Sequence, residues 1–167
     1  MVEDETDAVD INCGCPQGIA RKGMYGSFLL EKPEIIIAMT KKLHEHLKVP
    51  VTVKIRVLDD DEKTLQLCKD IERAGASILT VHGRTKEQNK AKVTYCDWHM
   101  IKRIKETLKI PVFANGGIYT FEDVQRCLEQ TGVDGVMSAE SLLENPALFS
   151  GQVKDLDLLA EEYIDFW

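Results

Sequence analysis

Five short runs rich in valine and isoleucine recur along this chain, each followed by an amphipathic stretch, and that alternation limits the folds open to it. The runs are Ala8 to Asn12, Val51 to Arg56, Ile78 to His82, Val112 to Asn115 and Gly135 to Ser138. Their length and composition predict strands buried on both faces of a parallel sheet. Pro33 suits the first turn of a helix, and Ile36, Ile37, Thr40, Leu43 and Leu47 then follow at helical spacing. Helical patterns over Thr64 to Ala74 and Thr120 to Thr131 stop at Gly75 and Gly132, the residue type that closes a helix in the left-handed conformation. Strand alternating with helix predicts parallel β/α units.

The units also echo one another. LKVPV at Leu47 to Val51 returns as LKIPV at Leu108 to Val112, and RAGASIL at Arg73 to Leu79 is matched by QTGVDGV at Gln130 to Val136. One supersecondary unit used repeatedly is what a (β/α)8 barrel leaves in its sequence, although a doubly wound sheet leaves similar echoes. A complete barrel takes about 250 residues, and this chain has 167. The fold class expected is therefore α/β, an incomplete TIM barrel of about five β/α units. The chain stops at Trp167 inside an amphipathic pattern of Leu156, Leu159, Ala160, Tyr163 and Phe166. That predicts a piece of a longer protein, with residues 1–151 as barrel and 152–167 as the start of a second, helical domain.

Composition narrows the function classes. The formal net charge of −7 makes a general nucleic-acid binder a poor reading, so any such role must rest on local basic groups. No apolar run approaches the ~20 residues of a membrane span, and the acidic MVEDETDAVD start has no apolar core of a signal peptide. Five cysteines without a C-x-x-C pair predict reduced thiols in an intracellular compartment, the cytoplasm or else the nucleus. No protein partner is evident.

In β/α barrels the reactive groups sit where strands end. Here those ends read Asn12-Cys13-Gly14-Cys15-Pro16, Lys54 with Arg56, His82-Gly83-Arg84-Thr85, Asn115-Gly116-Gly117 and Ser138-Ala139-Glu140-Ser141. Polar groups thus follow the apolar runs rather than precede them. Asn115-Gly116-Gly117 reads either as a tight strand exit or as a phosphate loop, since glycine lets backbone N–H groups approach an anion. The segment SAESLLENPALF adds a short helix expected near Asn145-Pro146. Cys13 and Cys15 alone are weak evidence for a metal, and no metal is expected. Cys15 lies in a turn just past a strand, whereas Cys68, Cys96 and Cys127 read as small buried hydrophobes. Lys54, inside an apolar run, needs a partner such as a phosphate, a carbonyl or a flavin. His82 reads as facing the site, while His44 and His46 read as solvated.

Taken in order, NCGCPQ, YGSFL, VTVKIR, LTVHGRTKEQ, PVFANGG and GVMSAESLLENPALF resemble the tRNA-dihydrouridine synthases. The similarity runs from about Asp10 to Gly151, and is strongest to the eukaryotic type acting at D-loop positions sixteen and seventeen. The resemblance implies an FMN-containing TIM barrel followed by a helical tRNA-binding domain. It implies reduction of the C5–C6 double bond of uracil, with FMN as hydride carrier and NADPH or NADH as reductant. Cys15 matches the family's proton donor, acting at C5 as a general acid. Lys54 and His82 match residues that contact the flavin. Asn115, Gly116 and Gly117 match its first phosphate loop, and Ala139 and Glu140 its second, where most members carry Gly-Arg. Arg84 and Lys86 are the residues expected to meet the phosphates of tRNA.

Two other readings stand beside this one. A dihydroorotate dehydrogenase-like FMN barrel can also read N-x-x-C-P, but HGRTKEQ and NPALF favour the tRNA enzyme. A truncated, non-catalytic product keeps the same motifs without the family's first flavin loop and its third-strand glutamine.

Overall fold

The computed structural model describes residues 2–89, 92–152 and 155–166. Period-two alternation along its strands decides how the sheet is covered. The strands are β1 (Val9–Cys13), β2 (Val51–Arg56), β3 (Ile78–His82), β4 (Val112–Asn115) and β5 (Gly135–Met137), all parallel and hydrogen-bonded in the order β1-β2-β3-β4-β5. Val51, Val53, Ile55, Leu79, Val81, Val112 and Ala114 point to one side and are 0% exposed. The residues between them form rows on the other side, Asp10–Thr52–Ile78, Asn12–Lys54–Thr80–Phe113–Gly135 and Arg56–His82–Asn115–Met137. Burial on both faces, expected from the valine and isoleucine content, is thus complete on one face only. The second face carries the polar rows.

The apolar face is covered by helices α2 (Pro33–His46), α3 (Asp61–Arg73), α4 (Trp98–Thr107) and α5 (Phe121–Thr131). Right-handed crossovers place all of them on one side of the sheet. A doubly wound sheet reverses its strand order; this one never does, and its sequential winding is that of consecutive barrel staves. Ile36, Ile71, Ile101 and Ile104 are fully buried beneath the helices, each contributing about 1.5–3 kcal/mol by leaving water. Helix ends are fixed locally. Asp60 and Asp97 accept from the N–H groups of Lys63 and Met100, and Thr120 with Asp123 forms a reciprocal cap. Gly132 closes α5 at φ +68.

The sequence echoes become equivalent hydrogen bonds. Pro50 and Pro111 carbonyls accept from Val9 and Leu79, both at 3.0 Å, while Lys48 and Lys109 N–H groups donate to the carboxylates of Glu3 and Glu72. Ser77 and Asp134 N–H groups donate to the first carbonyls of β2 and β4.

Three further helices are found among the described residues. α1 (Gly18–Gly23) follows β1 and precedes a 3-10 segment, Gly26–Glu31; α6 (Glu140–Glu144) follows β5; α7 spans Leu156–Phe166. The short helix expected near Asn145-Pro146 is found as two short elements flanking the pair, α6 ending at Glu144 and a 3-10 turn over Leu148–Ser150. Proline disfavours helical backbone in the residue before it, and Asn145 is extended at φ −140 and ψ 90. No helix among the described residues is long and apolar enough to cross a membrane.

Candidate active site at the carboxyl ends of the strands

The loop after β1 is held from three directions. Asn12 Oδ1 accepts from the Gly14 N–H at 2.9 Å, and Arg56 Nε donates to the Gly14 carbonyl at 2.8 Å. The Cys15 carbonyl accepts from both the N–H and the Oγ of Ser27, each at 2.9 Å. Two glycines permit this packing. A Cβ at Gly14 would sit 3.1 Å from Lys54 Nζ, and one at Gly26 would sit 2.7 Å from the Cys15 carbonyl oxygen. Cys13 and Cys15 part company here. Strand alternation turns Cys13 to the helix side, fully buried, and burial together with Asp10 pushes its thiol up to about 12. Cys15 is half-buried in the loop.

Three cationic side chains share the polar side of the site. Burial, reinforced by Arg56, lowers the pKa of Lys54, while Asp10 and Cys15 oppose the shift. Burial also lowers the pKa of Arg56, with Arg84 the next contributor. His82 is lowered to about 3 by burial first, then by Arg56, Lys54 and Arg84. Its imidazole is therefore neutral at pH 7. Arg84 Nη1 lies 3.5 Å from His82 Nε2; a guanidinium only donates, so this contact favours the tautomer with its proton on Nδ1.

A cavity of about 270 Å³ opens at these strand ends, and it brings together most of the residues singled out from sequence. His82, Arg84, Asn115, Gly116, Gly117, Ala139 and Glu140 all line it, together with Arg56. Gly116 and Gly117 turn through φ +93 and +75, which side-chain-bearing residues rarely adopt. A Cβ at Gly116 would lie 2.7 Å from the His82 ring. Asn115 Nδ2 donates to the Met137 carbonyl at 2.9 Å, and the Ser138 and Ser141 hydroxyls both donate to the Ile118 carbonyl. The loops after β4 and β5 are thereby fastened to each other. Glycine turns beside two guanidinium groups suit a phosphate-bearing ligand. The Glu140 carboxylate on the same wall does not, but Glu140 is exposed and has solvent available to it.

Cys15 and Lys54 adjoin this cavity through Gly14 and Arg56 rather than line it. Arg84 is only 8% exposed; its Nε donates to the Thr94 carbonyl at 2.7 Å and its Nη2 to the Tyr119 hydroxyl at 3.1 Å. Lys86 stands apart, paired with Glu31 and lying 5.5 Å from the Phe28 ring centre. Among the described residues, no group of three His, Cys, Asp or Glu side chains is arranged to hold a metal ion.

Two contributors were not assigned roles from sequence. Arg56 also donates through Nη1 to the Thr85 carbonyl at 3.0 Å, joining the loops after β1 and β3. Its alternation with Thr52 and Lys54 was the available signal. Cys96 packs between Gly83 and Gly116, with its thiol 3.5 Å from the Asn115 carbonyl and raised by burial to about 11. Nothing local marks it, because a long loop brings it there.

Comparison with known proteins bears on this site. A family model described as dihydrouridine synthase matches residues 1–162. The tRNA-dihydrouridine(16/17) synthase-like protein of Mus musculus, whose name includes NAD(P)(+), is 49% identical over 165 residues, 99% of this chain and 35% of its own length. The tRNA-dihydrouridine(16/17) synthase of Saccharomyces cerevisiae is 51% identical over 158 residues, 93% of this chain and 37% of its own. The chain thus spans little more than a third of these relatives. Among solved structures, a phosphonopyruvate hydrolase superposes with a TM-score of 0.66 at 12% identity, over 89% of this chain and 56% of that one. An N-acetylneuraminate lyase from Mycoplasma synoviae gives 0.62 at 18% identity, over 89% and 48%. These two share the barrel fold alone.

Proposed function

The chain belongs to the dihydrouridine synthase family, and from that premise we propose that the protein carrying it is an FMN-dependent tRNA-dihydrouridine synthase. It reduces the C5–C6 double bond of a D-loop uridine, with NADPH or NADH as reductant; the names of its relatives support both substrate and reductant. The observation that carries the reading is the single cavity lined by His82, Asn115, Gly116, Gly117, Ala139 and Glu140.

FMN, when bound, supplies the hydride that reaches C6. The rest is the work of side chains and backbone. Asn115 to Gly117 and Ala139-Glu140 hold the phosphate through backbone N–H groups, with Arg56 and Arg84 providing positive charge on the same cavity wall and Glu140 turned to solvent. Lys54 and a neutral His82 contact the flavin. Cys15 gives its proton to C5, and the Ser27 clamp on its carbonyl keeps the thiol on station. The uridine enters extruded from the RNA, at a cost of a few kcal/mol in lost stacking. Of the two basic residues assigned to RNA, Lys86 lies nearer the surface and exchanges Glu31 for a phosphate, while Arg84 acts from beneath. Residues 152–167 begin the helical tRNA-binding domain. The compartment inferred is the cytoplasm or nucleus, where tRNA is available.

The test is to purify the protein carrying this chain, record its flavin absorbance, and assay dihydrouridine in an unmodified tRNA transcript with NADPH. Flavin uptake with dihydrouridine formation is expected. A protein that retains no flavin and leaves the uridines intact overturns the reading.

A further inference from the structure

A second cavity, about 710 Å³, opens between the loops that follow β3 and β4. Tyr95, Trp98 and Tyr119 line it together with Arg84, Arg126 and Asp123. Tyr95 is 97% exposed and Tyr119 56% exposed. Two large rings left in water beside a concavity forgo considerable burial, and such surfaces mark binding sites. The ionic lining is two guanidinium groups against one carboxylate. Arg126 pairs with Asp123, and its guanidinium carbon lies 5.9 Å from the Trp98 ring centre. Aromatic faces with arginine beside them are the chemistry that holds unpaired bases, by stacking that any base satisfies. The volume falls in the range of small-ligand sites, so a nucleotide fits where a flat protein interface does not.

We propose that this cavity receives an unpaired nucleobase of the RNA substrate, stacked against Tyr95 and Tyr119, next to the strand-end cavity with which it shares Arg84, Gly117 and Tyr119. The inference rests on the reading of the substrate as tRNA. It also links the two cavities. The Tyr119 hydroxyl accepts from Arg84, whose other guanidinium nitrogen faces His82. A base seated on Tyr119 therefore bears on the group that walls the strand-end cavity.

The test measures binding of an unmodified tRNA transcript to the protein carrying this chain by fluorescence anisotropy. Tyr95→Ala should weaken binding roughly 5- to 150-fold, the range for one stacked base, while Tyr95→Phe stays near the parent and flavin content is unchanged in both. Tyr95, so exposed, can be replaced without disturbing the core. Tetranitromethane should nitrate Tyr95 in the free protein, and tRNA should block it. Unchanged tRNA affinity in Tyr95→Ala, with the parent binding normally, overturns the stacking site alone. A Tyr95 that resists nitration without RNA is covered by protein, which also overturns it. A parent protein that binds no tRNA overturns this inference and the functional reading together.

Discussion

Arg56 Nε donates to the Gly14 carbonyl oxygen at 2.8 Å, one residue before Cys15. Its Nη1 donates to the Thr85 carbonyl at 3.0 Å, so one buried side chain spans two loops of the rim. A lysine ammonium on a single stem does not reproduce this fork. Arg56→Lys should therefore cost about 1–3 kcal/mol, the penalty of a buried acceptor left unsatisfied. Arg56→Met should cost more, because it frees both carbonyls. Urea denaturation midpoints measure the loss; an Arg56→Met protein as stable as the parent would show that the fork holds nothing.

His82 makes stability depend on pH. Its folded pKa of about 3 lies below the ordinary 6.5, so the unfolded chain binds the extra proton between those values. Stability from this group is present above about pH 6.5 and is lost as pH falls toward 3, at up to about 1.4 kcal/mol per pH unit. His82→Gln should flatten that acid limb in unfolding curves taken between pH 7 and 4. A parallel limb in the variant would assign the acid sensitivity to other groups.

How much of this was legible in the sequence depended on how local the cause was. The β2, β3 and β4 limits match the apolar runs, and Gly132 closes α5 where the pattern stops. The polar rim was legible because residues that follow a strand stay with its end. Burial of Arg84 was not, since its partners Thr94 and Tyr119 lie 10 and 35 residues away in the chain. The aromatic cavity was hidden for the same reason: Tyr95 and Tyr119 meet only through the β3 and β4 loops. The short helix expected near Asn145-Pro146 was legible for the same local reason as the rim: α6 stops at Glu144 and a 3-10 turn follows at Leu148–Ser150.

Two glycines with positive φ separate a site effect from a backbone effect. Gly116→Ala places a Cβ 2.7 Å from the His82 ring at φ +93, whereas Gly132→Ala, at φ +68, meets nothing within 4 Å. Both should lose about 1–2 kcal/mol for left-handed backbone. Only Gly116→Ala should also lower the ratio of flavin to protein after gel filtration. Equal flavin retention in the two variants would remove the Asn115–Gly117 loop from the cofactor site.

Cys15 carries the chemistry proposed for this site, and Cys13, two residues away on the helix side of β1, is its internal control. The decisive measurement is dihydrouridine formation on an unmodified tRNA transcript by the Cys15→Ala and Cys13→Ala forms of the protein carrying this chain. Flavin reduction by NADPH is followed separately in each. General acid catalysis typically contributes about 100- to 10,000-fold. Cys15→Ala should lose product formation on that scale while its flavin is reduced at the parent rate, and Cys13→Ala should keep turning over. Product formation by Cys15→Ala equal to that of the parent would contradict the assignment of Cys15 as the proton donor.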